Sequence, residues 1–180
     1  MTDIGKREVL EYETGDEKSY KFLPLFGNTL RFSVKAAHDC HLAFTRGTAE
    51  SEPMFEVFIG AWSGEASAIR FNKGEDLAKV DTPEILNDGE FREFWVTRVG
   101  KAVSVGKGGD SDPFLQAELP ELVCSTHFGY STGYGATGTF HFYSCQVFDS
   151  GVQYLMLVVK YLMKVFTVCD AGHQVFEDYA

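Results

Sequence analysis

The feature that most constrains this chain is a hydrophobic period of two that recurs along its first three quarters. Leu30, Phe32, Val34 and Ala36 alternate with Arg31, Ser33 and Lys35, which describes a β-strand with one buried face. Cys40, Leu42 and Phe44 repeat the pattern after a turn at Ala37-His38-Asp39, and Phe55, Val57 and Ile59 alternate with Glu56 and Phe58. Further strands are predicted over 68–71, 94–98, 102–105, 114–117, 126–130 and 139–143. Turn signals separate them at Phe26-Gly27-Asn28, 60–64, Asn72-Lys73-Gly74, Val99-Gly100, 106–113 and 133–138. Asp81–Leu86 reads as a single helical turn, with Thr82 as cap and Pro83 at the first position. Strands at this spacing, with almost no helical periodicity between them, predict an all-β fold. The expected architecture is an antiparallel two-sheet β-sandwich, jelly-roll-like, of roughly eight to ten strands between Tyr20 and Tyr143.

Two flanking regions differ. Residues 1–18 are acidic and polar and read as a loose lead-in with one short strand, Glu8–Tyr12, so the sandwich domain is expected over 19–143. Residues 144–180 form an atypical tail whose apolar stretch, Val152–Val168, is interrupted by Gln153, Lys160, Lys164 and Thr167. These four fall near one side of a helical wheel, so a docked amphipathic helix is one reading and extra strands another. A membrane span is disfavoured, since crossing takes roughly 20 apolar residues and a central lysine costs about 3 kcal/mol.

Charge and cysteine usage narrow the partners. Sixteen Lys+Arg against 26 Asp+Glu give a formal charge of -10, which repels nucleic-acid backbones and anionic membrane surfaces. Cys40, Cys124, Cys145 and Cys169 form no C-x-x-C pair, which excludes zinc ribbons and thioredoxin-like motifs. The opening MTDIGKREVLEYETGDEK has no apolar h-region. A cytoplasmic chain with reduced thiols is therefore the expectation; a domain cut from a larger secreted protein would read the same way.

Several segments in order resemble the farnesoic acid O-methyltransferase-type (FAMeT) domain, a module of arthropod and other invertebrate proteins. They are Leu30–Thr45 (LRFSVKAAHDCHLAFT), Phe55–Trp62 (FEVFIGAW) with Ser67–Arg70 (SAIR), Phe91–Trp95 (FREFW), Ala102–Gly106 (AVSVG), Thr126–Tyr130 (THFGY) and Gly133–Phe140 (GYGATGTF). The resemblance covers residues of about 20–143 and implies transfer of a methyl group from S-adenosylmethionine to a sesquiterpene acid, as in juvenile-hormone-type (methyl farnesoate) synthesis. The residues supply little of what that chemistry uses. Val103–Asp110 imitates a glycine-rich cofactor loop after a strand, but Ser111-Asp112-Pro113 follows it where a helix N-terminus is needed. No βαβ unit is visible elsewhere.

Other constellations are weaker. His38 and His41 flank Asp39 and Cys40, but on an extended strand His41 shares a face with Asp39 while Cys40 points away. A turn residue and a strand-surface residue are expected there, and no metal site. Asp110 and Asp112 could offer oxygens to calcium; a solvated turn is the plainer reading. Trp62 lies in a turn, Arg70 and Trp95 on strands, and Tyr130 and Tyr134 flank the last glycine-rich turn. Exposed aromatics with an arginine suit stacking on a sugar ring or clamping the carboxylate of an apolar acid, whereas Trp62 and Trp95 as core anchors is the competing reading. The leading expectation is a non-catalytic recognition module without a cofactor, binding a small apolar acid, a glycan or a protein. The alternative is an S-adenosylmethionine-dependent farnesoic acid O-methyltransferase, and a third reading is an assembly role for the apolar tail.

Overall fold

Each alternating segment folds as a strand with one face in the core, and the strands Cys40–Thr45 and Phe55–Gly60 are buried on both faces. The structure, a computed structural model, describes residues 8–144. Its strands are β1 (Glu8–Thr14), β2 (Lys21–Pro24), β3 (Thr29–Ala36), β4 (Cys40–Thr45), β5 (Phe55–Gly60), β6 (Ala66–Phe71), β7 (Asp76–Asp81), β8 (Arg92–Val99), β9 (Ala102–Lys107), β10 (Leu115–Glu118), β11 (His127–Ser131) and β12 (Gly138–Ser144). A short turn, α1 (Ala61–Gly64), left-handed at Trp62 and Ser63, follows β5. The strands make two six-stranded sheets, one in the order β1-β12-β3-β8-β9-β10 and the other β2-β11-β4-β5-β6-β7. The first is called the front sheet below, the second the back sheet.

The core lies between them. From the front sheet come Phe32, Val34, Phe94, Val96, Phe140 and Phe142; from the back sheet Leu42, Phe44, Val57, Ile59 and Ile69. Rings fill the interior: Phe44 stacks on Phe55 at 4.5 Å between centroids, and Phe32 meets Phe94, Phe140 and Phe142. Burying each such ring contributes about 1.5–3 kcal/mol.

The differences from the sequence reading are local. Strand β2 is short and ends in Pro24, and β7 occupies the edge of the back sheet with no fully buried residue along it. Neither presents the clean alternation that betrays a half-buried strand. The helical turn expected over 81–86 is a hydrogen-bonded β-turn instead: the Ile85 N–H reaches the Thr82 carbonyl at 3.3 Å, and Glu84, the residue after Pro83, has φ 58°, which is incompatible with a right-handed helix. The short strand expected in the lead-in is β1, integral to the front sheet, with the Thr14 hydroxyl bonded to Thr132 at 2.7 Å and to the Gly138 carbonyl at 3.1 Å. The helix, span or strands expected within 144–180 lie outside the described residues. Among the described residues no helix is long and apolar enough to cross a membrane.

The thiols also depart from expectation, because Cys124 is disulfide-bonded. Cys40 is a free thiol in the core, and burial, helped by the Asp39 carboxylate, pushes its pKa far up. Alkylation followed by peptide mass mapping should therefore leave Cys124 unlabelled until a reductant is added. Cys40 should label only after denaturation.

Candidate functional site

The outward face of the back sheet is not a plain solvated surface. Pairing places Ser131, His41, Phe58, Ala68 and Lys79 in one row across β11, β4, β5, β6 and β7, and Gly129, Ala43, Glu56 and Arg70 in the next. Alternation turns these residues away from the core, and the small ones leave a hollow between the large ones. Loops at one end of the strands raise its walls. The result is a groove of about 300 Å³ lined by Lys18, Asp39, His41, Phe58, Ala61, Trp62, Ser63, Arg70 and Tyr134.

The walls are held in unusual backbone geometry. Asp39 (φ 58°), Trp62 (φ 52°), Ser63 (φ 62°) and Tyr134 (φ 55°) all occupy the left-handed region, where a non-glycine residue costs about 1–2 kcal/mol. Such strain persists only where surrounding structure over-determines it, and it clusters at binding sites. Here the Asp39 N–H donates to the Gly60 carbonyl at 2.7 Å, tying the β3–β4 turn to the α1 loop. The Ser67 hydroxyl accepts from the Gly60 N–H at 3.1 Å and contacts the Thr82 hydroxyl at 2.7 Å. Gly60 itself has φ 57°, and a Cβ there would press on Ile85 and Leu86 at 3.1 Å. Trp62 is consequently displayed at 41% exposure and Tyr134 at 72%.

The polar groups are arranged in pairs. Asp39 accepts from His38 Nδ1 at 2.6 Å and from His41 Nε2 at 3.2 Å. Burial alone would raise its carboxyl, but the hydrogen bonds from His41 and His38 outweigh burial and hold it below the ordinary carboxylate range. An ionised carboxylate only accepts, so His41 Nε2 carries its hydrogen. The buried Nδ1 of His41 has no hydrogen-bond partner among the described residues. Glu56, nearly without exposure, accepts from Lys18 Nζ at 3.0 Å and from the Tyr20 hydroxyl at 2.7 Å. Burial and the Glu56 carboxylate push the Tyr20 hydroxyl far above the usual tyrosine range. Arg70 turns to Asp76, giving Nη2 to Oδ1 at 2.8 Å and Nε at 2.9 Å.

Aromatic contacts complete the floor. Phe58 meets the His41 ring at 4.8 Å and the Trp62 ring edge-on at 6.3 Å, and the Arg70 guanidinium lies over it at 4.9 Å. Lys79 Nζ sits 3.5 Å from the centre of the Trp62 ring, a cation–π contact at the groove's rim.

Of the residues singled out in the sequence, Trp62, Arg70 and Tyr134 come together here, and Trp95 and Tyr130 do not. Trp95 lies on the front sheet, buried, with its indole N–H donated to the Asp110 carbonyl at 3.0 Å. Tyr130 points into the core beside Tyr12 and Phe142, and burial raises its hydroxyl to about 12. His41 is buried beneath the rings rather than lying on an open strand surface. Lys18, Asp39, His41 and Phe58 are groove residues that the sequence did not mark as a site. The His41–Asp39 shared face was the one available signal.

A model of the farnesoic acid O-methyl transferase family matches residues 16–147. No curated protein matches the chain. Among solved structures, a Bacillus subtilis protein of unknown function with a galectin-like fold is similar at 8% identity and TM-score 0.50, over 78% of each chain. Also similar are the carbohydrate binding module CBM66 from Bacillus subtilis (12% identity, TM-score 0.49, 73% of this chain and 83% of that one) and the Caenorhabditis elegans galectin LEC-6 (11%, 0.44, 73% and 95%). At 8% identity the likeness to the first of these is one of fold, a galectin-like sandwich.

Proposed function

We propose that this chain, which belongs to the farnesoic acid O-methyl transferase family, is a recognition module whose back-sheet groove binds a glycan. The observation that carries the reading is the display of Trp62 and Tyr134, both in left-handed backbone, beside the buried polar pair Asp39 and His41. A sugar ring offers an apolar face for stacking and hydroxyls for the polar groups, and both kinds of partner converge within one shallow groove.

Catalysis on a sesquiterpene acid is the reading these residues serve less well. They do not fit S-adenosylmethionine: the Gly108 N–H is taken up by the Glu93 carbonyl at 2.6 Å in continuation of the β8–β9 pairing, the Asp110 N–H closes a tight turn on the Lys107 carbonyl at 3.2 Å, and the chain returns as β10 with no helix to face a ligand. The space between the sheets is filled by rings, and Arg70 lies on the outer face rather than at the mouth of an apolar cavity. At about 300 Å³ the groove stands at the lower bound of ligand pockets, which run to about 1,000 Å³. As to compartment, the disulfide at Cys124 favours the secreted alternative.

The test is an immobilised oligosaccharide panel probed with labelled protein, in parallel with Trp62→Ala. Wild type is expected to bind members of the panel, and the variant to bind them at least tenfold more weakly, which about 1.4 kcal/mol of lost stacking would produce. Turnover of S-adenosylmethionine with farnesoic acid by the purified protein would overturn the reading.

A further inference from the structure

We infer that the groove selects a neutral, hydroxyl-rich ring over its acidic counterparts, with the Asp39 carboxylate as the acceptor for ligand hydroxyls. This rests on the glycan reading above and names the class of glycan. The reason lies in how the charges at the site are already committed. Lys18 is paired with Glu56 at 3.0 Å, and Arg70 gives two N–H groups to Asp76. Lys79 stands outside the groove's lining, exposed and placed over the indole of Trp62, where water and salt screen it. An acidic ligand entering the groove would meet Asp39 and find each lining lysine or arginine already held by a carboxylate, on a chain of net charge -10.

A hydroxyl donor meets the opposite situation. Each Asp39 oxygen accepts one imidazole hydrogen and keeps lone-pair capacity for a second. Hydrogen bonds to an ionised acceptor are roughly twice as strong as neutral ones. The carboxylate is fixed in place by its own backbone, bonded to Gly60, and by two histidines that keep it ionised at neutral pH. Acceptors predominate, free cations are wanting, and two aromatic rings supply an apolar platform. An uncharged sugar ring satisfies all three conditions, and a uronate, sialate or sulfated sugar fails the second.

The experiment uses a panel of matched oligosaccharides ending in neutral hexoses or N-acetylhexosamines, or in sialic acid, glucuronic acid or sulfated hexose. Wild type, Asp39→Asn and Asp76→Asn are compared, each checked by thermal melting. Asparagine tolerates positive φ well, so the turn at position 39 survives the first change. Wild type should prefer the neutral members. Asp39→Asn should weaken that binding about 10- to 100-fold, as loss of a charge-assisted bond does. Asp76→Asn frees Arg70 and should gain binding to the acidic members. Equal or tighter wild-type binding to acidic members, or an Asp39→Asn variant that binds as wild type does, would overturn the inference while leaving the glycan reading intact. Binding to no member of the panel would remove both.

Discussion

Replacing Lys18 by methionine is expected to destabilise the domain by about 3 kcal/mol, far more than the roughly 0.5 kcal/mol typical of surface substitutions. Lys18 looks dispensable in the sequence, one of several charges in a polar opening. In the fold its ammonium is the positive partner of Glu56, whose side chain keeps 1% of its surface exposed while Lys18 keeps 28%. Methionine preserves most of the stem and removes the charge, leaving a buried carboxylate with the Tyr20 hydroxyl for support. Urea unfolding at constant slope gives the comparison. Adding Glu56→Gln to the lysine variant should restore much of the loss, since the amide oxygen still accepts from Tyr20 and no charge is stranded. A Lys18→Met midpoint matching wild type would show that the pair does not hold the segment before β2 against the back sheet.

Gly106→Ala should cost a comparable amount, about 2–4 kcal/mol, through one methyl group. Gly106 pairs directly with Trp95 across β8 and β9, and the indole lies flat over it. A Cβ would overlap the ring atoms Cε2 and Cζ2. The indole would have to leave its place, giving up the bond to the Asp110 carbonyl and its burial. With Trp62→Phe as background, the remaining tryptophan emission reports on Trp95 alone, and a red shift with a lowered melting temperature is the expected result. An unchanged spectrum would mean that β9 yields instead of the ring.

Both effects illustrate where the sequence is readable and where it is not. Alternation revealed ten of the strands because a half-buried strand must repeat every second residue, as Phe32-Val34 and Val57-Ile59 do. It also held the information that Tyr130 is a core residue, since Tyr130 keeps phase with Phe128, and that Trp95 runs out of phase with Phe94 and Val96. Period two cannot say what covers the other face. Glu56 reads as a solvated strand residue until Lys18 and Tyr20, some 36–38 positions earlier, are seen to close over it. Trp62, Arg70 and Tyr134 were legible one by one as polar-aromatic positions. Their meeting with Asp39 and His41 depends on the β11–β4–β5–β6 order and on four positive φ angles, and neither leaves a local mark in the residues.

The strand order has a consequence for the chain as it is made. Strand β12 fills the place between β1 and β3, and β11 the place between β2 and β4. Until those late segments have emerged from the ribosome, each sheet carries an open slot with two unsatisfied edges and a row of phenylalanines behind it. At synthesis speeds of about 5–20 residues per second, that exposure lasts for several seconds per chain. Neither sheet can close early from its own hairpins, so the nascent domain exposes the apolar surface and free strand edges that chaperones hold and that invite strand exchange between neighbours on a crowded message.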